Sequence, residues 1–179
     1  MLFDLNFMGI FEGLPKKYEV ENGDIKYKSG NLNLIYSVEE RKLLGKVSRY
    51  LLDRDFATMQ SFHEEKIMKK LKSKGYSVPL SDGVFGIFEK TRESYVPGLV
   101  MEDLFREVPL RAVPGIYYDY FKDYYEDVLN SAEKDGFCYG DVNEGNCLCD
   151  LKNKNIFLID FGEWEYWGKD EKILSPIRE

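Results

Sequence analysis

Two short apolar runs, Cys147-Leu148-Cys149 and Ile156-Phe157-Leu158-Ile159, flank the polar break Lys152-Asn153-Lys154-Asn155. Such runs around a turn-like break predict a β-hairpin. Folding back there brings Asn146, just before the first run, and Asp160, just after the second, to the same end. Asp141 stands five residues before Asn146, so three oxygen-bearing side chains gather around one structural feature. A positioned carboxylate can accept the proton of a hydroxyl. An amide oxygen and a second carboxylate are hard ligands suited to Mg²⁺. A base and metal ligands in that combination are what phosphoryl transfer from ATP requires.

The whole stretch from Tyr139-Gly140-Asp141 through Asn146 to Ile159-Asp160-Phe161-Gly162 resembles the catalytic loop and D-F-G segment of the protein-kinase-like superfamily. The resemblance implies that Asp141 is the catalytic aspartate and that Asn146 and Asp160 hold Mg²⁺. Gly140 departs from the H-R-D form and is similar to the H-G-D of atypical, lipopolysaccharide-core and aminoglycoside kinases. Tyr139 takes the place of a histidine that is usually a packing residue in the family. The fold implied is α+β and two-lobed: an antiparallel-sheet N-lobe over about 1–101, a hinge at 102–104 and a truncated helical C-lobe over 105–179.

With 179 residues the chain can form one substantial domain or two small lobes. Its net charge of −7 offers no electrostatic footprint for nucleic acid. An early acid and no basic leader precede the apolar N-terminal residues, which does not read as a secretory signal. No apolar run reaches membrane-span length. Cys138, Cys147 and Cys149 are odd in number, and His63 is the only histidine. Zinc is poorly supplied by that set, and buried free thiols in a reducing cytoplasm are the better account. The location expected is cytoplasmic, or that of a delivered effector.

In chain order, residues 1 to about 20 show no clear period, and Gly9, Gly13 and Pro15 argue against one long helix. Alternation then predicts strands over Asp24–Lys28, Leu32–Val38 and Lys42–Leu51. On the resemblance, the first turn of this meander is the phosphate-covering loop, with Gly30 its only glycine. Lys46 on the third strand is the lysine for the α- and β-phosphates, with Lys42 the competing position. Apolar residues at mostly three- and four-residue intervals predict a helix from Phe56 to about Lys74, stopped by Gly75. The resemblance makes Glu64 on that helix the partner of Lys46, with Glu65 the alternative. Strands follow at Val84–Glu89 and Tyr95–Met101. In the family pattern Met101 is the gatekeeper, the backbones of Glu102 and Leu104 bond adenine, and Leu148 forms the floor of the adenine pocket.

The clearest helix runs from Pro114 to about Lys134, with Tyr117, Tyr120, Phe121, Tyr124, Tyr125, Val128, Leu129 and Ala132 on one face. After Gly162 only seventeen residues remain. The long activation segment, the A-P-E motif and the later C-lobe helices of the family are absent, as in short atypical and bacterial effector kinases. The function expected is Mg²⁺-dependent transfer of the γ-phosphate of ATP to a hydroxyl of a protein or small-molecule acceptor. The alternative is a pseudokinase that binds nucleotide or serves as a scaffold, a reading favoured by the single loop glycine and the lost helices. Exposed aromatic surface near Trp164 and Trp167 would imply a protein partner or self-association through the shortened C-lobe.

Overall fold

The computed structural model describes residues 10–21, 25–29, 33–38, 43–48, 53–104 and 107–176. It is a mixed α+β chain that divides into two compact units. The first comprises residues 1–65 and 80–103, the second 66–79 and 104–179.

The first unit is built on a six-stranded sheet. Its strands are β1 (Lys16–Val20), β2 (Ile25–Ser29), β3 (Asn33–Val38), β4 (Leu43–Ser48), β5 (Ser81–Glu89) and β6 (Ser94–Glu102), in the order β1-β5-β6-β4-β3-β2. Alternating apolar positions on these strands form the core: Tyr18, Val20, Leu34, Tyr36, Val38, Val47, Ile87, Val96 and Val100. The expected antiparallel sheet needs one correction, because β1 pairs with β5 in parallel. β1 also lies in the stretch left without structure by sequence periodicity. Its burial alternates across Lys17-Tyr18-Glu19-Val20, too short a pattern to register, and its partner is remote in sequence. Gly30 and Lys42 lie outside the described residues.

Between β4 and β5 runs the helix α1 (Arg54–Ser73). Asp53 caps its start, its Oδ1 accepting from Phe56 N–H at 2.9 Å. Gly75, at φ +92°, ends it as expected. Its buried face keeps half of the apolar set expected from the sequence, Phe56, Met59, Phe62, Ile67, Met68 and Leu71: the last three are buried. Ala57, Ser61, Glu64, Met68 and Leu71 are buried at helical spacing, whereas Phe56, Met59 and Phe62 are only partly covered.

The second unit is organised by the helix α2 (Gly115–Lys134). Phe121, Tyr125, Leu129 and Ala132 are its buried stripe, four residues at four- and three-residue steps. Tyr117 and Tyr120, grouped with them by sequence, are about half exposed at 47% and 51%. The aromatic stripe was read too wide by about one helical row.

The hairpin forms as predicted: β9 (Cys147–Asp150) pairs antiparallel with β10 (Asn155–Leu158), with β7 (Val108–Pro109) on the other side of β9. Side chains alternate along β9, so Cys147 and Cys149 are buried while Leu148 is half-buried on the other face. Cys138, expected to be buried with them, is exposed.

The chain after Gly162 is ordered as a small sheet, β12-β11-β8, of β8 (Phe137–Cys138), β11 (Glu165–Trp167) and β12 (Lys172–Ile173). Trp164 and Tyr166 are buried around Phe137, with ring centroids 6.3 Å and 4.9 Å from it. Trp167 stays half exposed. Lys70 on α1 pins this tail, its Nζ lying 2.7 Å from Asp170 and 3.4 Å from Glu171. No helix among the described residues is long and apolar enough to cross a membrane.

Candidate functional site

In the first unit, strand β4 carries Lys46 and helix α1 carries Glu64. The Lys46 Nζ donates to both carboxylate oxygens of Glu64 at 2.8 Å. Both side chains are almost wholly withdrawn from solvent, with 10% and 5% exposed. Glu65 is engaged differently, accepting from the Ser81 hydroxyl at 3.0 Å. Of the two adjacent acids, the geometry therefore pairs Glu64 with Lys46. Two ions out of water cost several kcal/mol each before their attraction is counted, so a pair of this kind is poor evidence for stability and is retained for another reason.

Strand β6 ends in the stretch read as gatekeeper and hinge. Met101 pairs with Leu44 on β4 and Ser81 on β5, and is half-buried. The Glu102 N–H already donates to the Leu80 carbonyl at 2.8 Å. The Leu104 carbonyl accepts from Glu107 N–H at 3.1 Å, which leaves its own N–H as the donor at that position.

In the second unit the hairpin collects the other set. Leu158 pairs with Cys147, and the next residue, Ile159, donates its N–H to the Asn146 carbonyl at 3.0 Å. Asn146 and Asp160 thus stand at one end of the hairpin, as the spacing predicted. The Asn146 side-chain N–H₂ group donates to the Asp141 carbonyl at 3.1 Å and lies 3.4 Å from its carboxylate. Its Oδ1 is left without a partner among the described residues. Asp160 adopts φ +65°, a left-handed conformation that aspartate tolerates better than most residues.

Several residues that sequence reasoning did not single out hold this loop. Asn143 bridges it, donating to Asp141 Oδ1 at 3.0 Å and accepting from Gly145 N–H at 2.8 Å. From α2, the Tyr125 hydroxyl donates to the Asn143 carbonyl at 3.3 Å and Tyr118 donates to Glu144. Burial pushes the Tyr125 phenol up, so it remains a donor throughout the physiological range. Tyr118 and Tyr125 are seven residues apart, two helical turns, and that spacing was the available signal. Gly140 is required by contact: a Cβ there would lie 2.6 Å from Glu163 Cβ and 2.8 Å from its carbonyl oxygen. The residue before Asp141 is thereby set against the residue after Gly162.

The donor set fits Mg²⁺ by its chemistry. Among the described residues no three His, Cys, Asp or Glu side chains converge as a metal cage. Mg²⁺ does not need one, since it is commonly held by one or two protein oxygens together with phosphates and water. Two surface clefts are lined by α2 residues such as Asp127 and Ser131, or Tyr120 and Asp123. Both are open, and neither includes Asp141, Asn146 or Asp160. The site is therefore defined by its side-chain constellation. No protein-family model matches the chain, and no curated protein matches it in sequence.

Proposed function

We propose that the protein is an ATP- and Mg²⁺-dependent phosphotransferase of the two-lobed kinase type, acting on a hydroxyl acceptor. The observation that carries this reading is the collection of Asp141, Asn146 and Asp160 at one end of the β9–β10 hairpin by the Asn146–Asp141 bonds and the Ile159–Asn146 bond. The buried Lys46–Glu64 pair supports it independently, since a lysine oriented by a carboxylate is suited to gripping phosphate.

Each residue has a task in this reading. Asp141 is exposed, and its carboxylate orients the acceptor hydroxyl and takes its proton. Asn143 holds that carboxylate by Oδ1. Asn146 Oδ1 and the Asp160 carboxylate would hold Mg²⁺, which when bound offsets negative charge on the phosphates. Lys46 contacts the α- and β-phosphates while Glu64 keeps it aimed. In the first unit the Glu102 backbone and Met101 are the groups for adenine. The class of acceptor is set by surfaces outside this constellation.

The competing reading, a pseudokinase, draws on the sequence between Ile25–Ser29 and Asn33–Val38, where Gly30 is the only glycine. Calorimetry of ATP binding with and without Mg²⁺ tests the nucleotide site common to both. The expected result is Mg²⁺-dependent binding that loses its metal dependence in Asp160→Ala. ATP affinity indifferent to both Mg²⁺ and that substitution would overturn the site.

A further inference from the structure

Asp160 is one of three described non-glycine residues at positive φ, with Glu93 and Lys154. Those two lie in tight turns joining paired strands, Glu93 between β5 and β6 and Lys154 between β9 and β10. Asp160 has no such turn to impose its conformation. Residues in sparsely populated backbone regions persist only where their surroundings over-determine them.

Part of those surroundings comes from the tail. The Phe161 ring is buried against Trp164, centroids 5.4 Å apart, and Trp164 N–H returns to the Phe161 carbonyl at 3.1 Å. The Gly162 carbonyl accepts from the hydroxyl of Ser175, a residue only 3% exposed. Ser175 is fixed in turn by Glu165, whose Oε1 accepts from Ser175 N–H at 3.4 Å and whose Oε2 accepts from the Trp167 indole at 3.0 Å. Glu165 is itself buried on β11, opposite Cys138. A buried carboxylate is costly unless hydrogen-bonded, and this one is spent on tying the tail together.

We propose that Glu165 and Ser175 are positioning residues for Asp160: they clamp the Gly162 carbonyl and so hold the metal-binding aspartate in its left-handed conformation. The proposal rests on the phosphotransfer reading for the role of Asp160. It gives the tail a task beyond covering α2.

The test uses Mn²⁺ as the metal probe with ATP on the full chain, free Mn²⁺ being counted by electron paramagnetic resonance. Ser175→Ala should weaken Mn²⁺ uptake in the presence of ATP by about 10-fold, the lower end of the range for groups supporting a metal ligand. Ser175→Thr, which keeps the hydroxyl, should restore it. Glu165→Gln places an amide N–H₂ against one of two N–H donors and should lose at least as much. Metal-free ATP affinity should be unchanged in all three, which a loss of fold would not allow. Wild-type uptake in Ser175→Ala, or equal losses in the Thr and Ala variants, overturns the clamp alone. If Asp160→Ala takes up Mn²⁺ as well as wild type does, the phosphotransfer reading fails and the clamp with it.

Discussion

Lys46 Nζ sits 2.8 Å from both oxygens of Glu64, and neither side chain is more than 10% exposed. Removing either partner takes the ion-pair bonds away from a charge that stays buried. Glu64→Ala should therefore destabilise the chain by about 3–5 kcal/mol in urea unfolding, while the apolar double variant Lys46→Met, Glu64→Leu recovers most of that loss. A loss below about 1 kcal/mol in Glu64→Ala, the range of surface pairs, would contradict the burial.

The same pair makes a kinetic prediction. On the proposed function both residues act as one unit on phosphate, so the activity losses of Lys46→Ala and Glu64→Ala should be strongly non-additive, the double variant costing little more than either alone. Additive losses would separate the two residues functionally.

The hairpin and its end were legible in the sequence because its evidence is local: two apolar runs, a polar turn, and oxygen-bearing residues at the run ends. Other features carry no local signature. Glu64 is picked out by the resemblance alone, since nothing local separates it from Glu65. β1 pairs in parallel with a strand about seventy residues away, and only four of its residues alternate. Tyr117 and Tyr120 look like core because their spacing is helical, yet the packed stripe of α2 is narrower than its aromatic stripe. The Ser175–Gly162 bond spans thirteen residues and joins a side chain to a carbonyl, which no residue pattern announces.

The tail tryptophans should separate sharply. Trp164, 3% exposed and packed against Phe137, Tyr139 and Phe161, should cost about 3–5 kcal/mol when changed to alanine. Trp167→Ser, at a half-exposed position, should cost far less, and thermal melts of the two variants make the comparison. Equal losses would contradict the packing of β11.

Thiol chemistry gives an independent check on burial. Burial pushes the Cys147 and Cys149 thiols up, so they stay protonated and unreactive at pH 8 in the native chain. A thiol-specific chromogenic reagent should therefore titrate the exposed Cys138 alone in native protein and all three cysteines in denaturant. Three fast-reacting thiols in the native state would contradict the placement of β9.

The central claim is that Asp141 serves a phosphotransferase centre with Asn146 and Asp160. Its most direct test follows the labelled γ-phosphate of ATP, released to water or transferred to the chain or an acceptor panel, in wild type and Asp141→Ala with Mg²⁺ present. The account predicts Mg²⁺-dependent loss of γ-phosphate from ATP by the wild type and a ~10²–10⁴-fold lower rate in the variant, with ATP binding retained. Wild-type protein that binds Mg²⁺–ATP without turning it over, or turnover unaltered by Asp141→Ala, would contradict it.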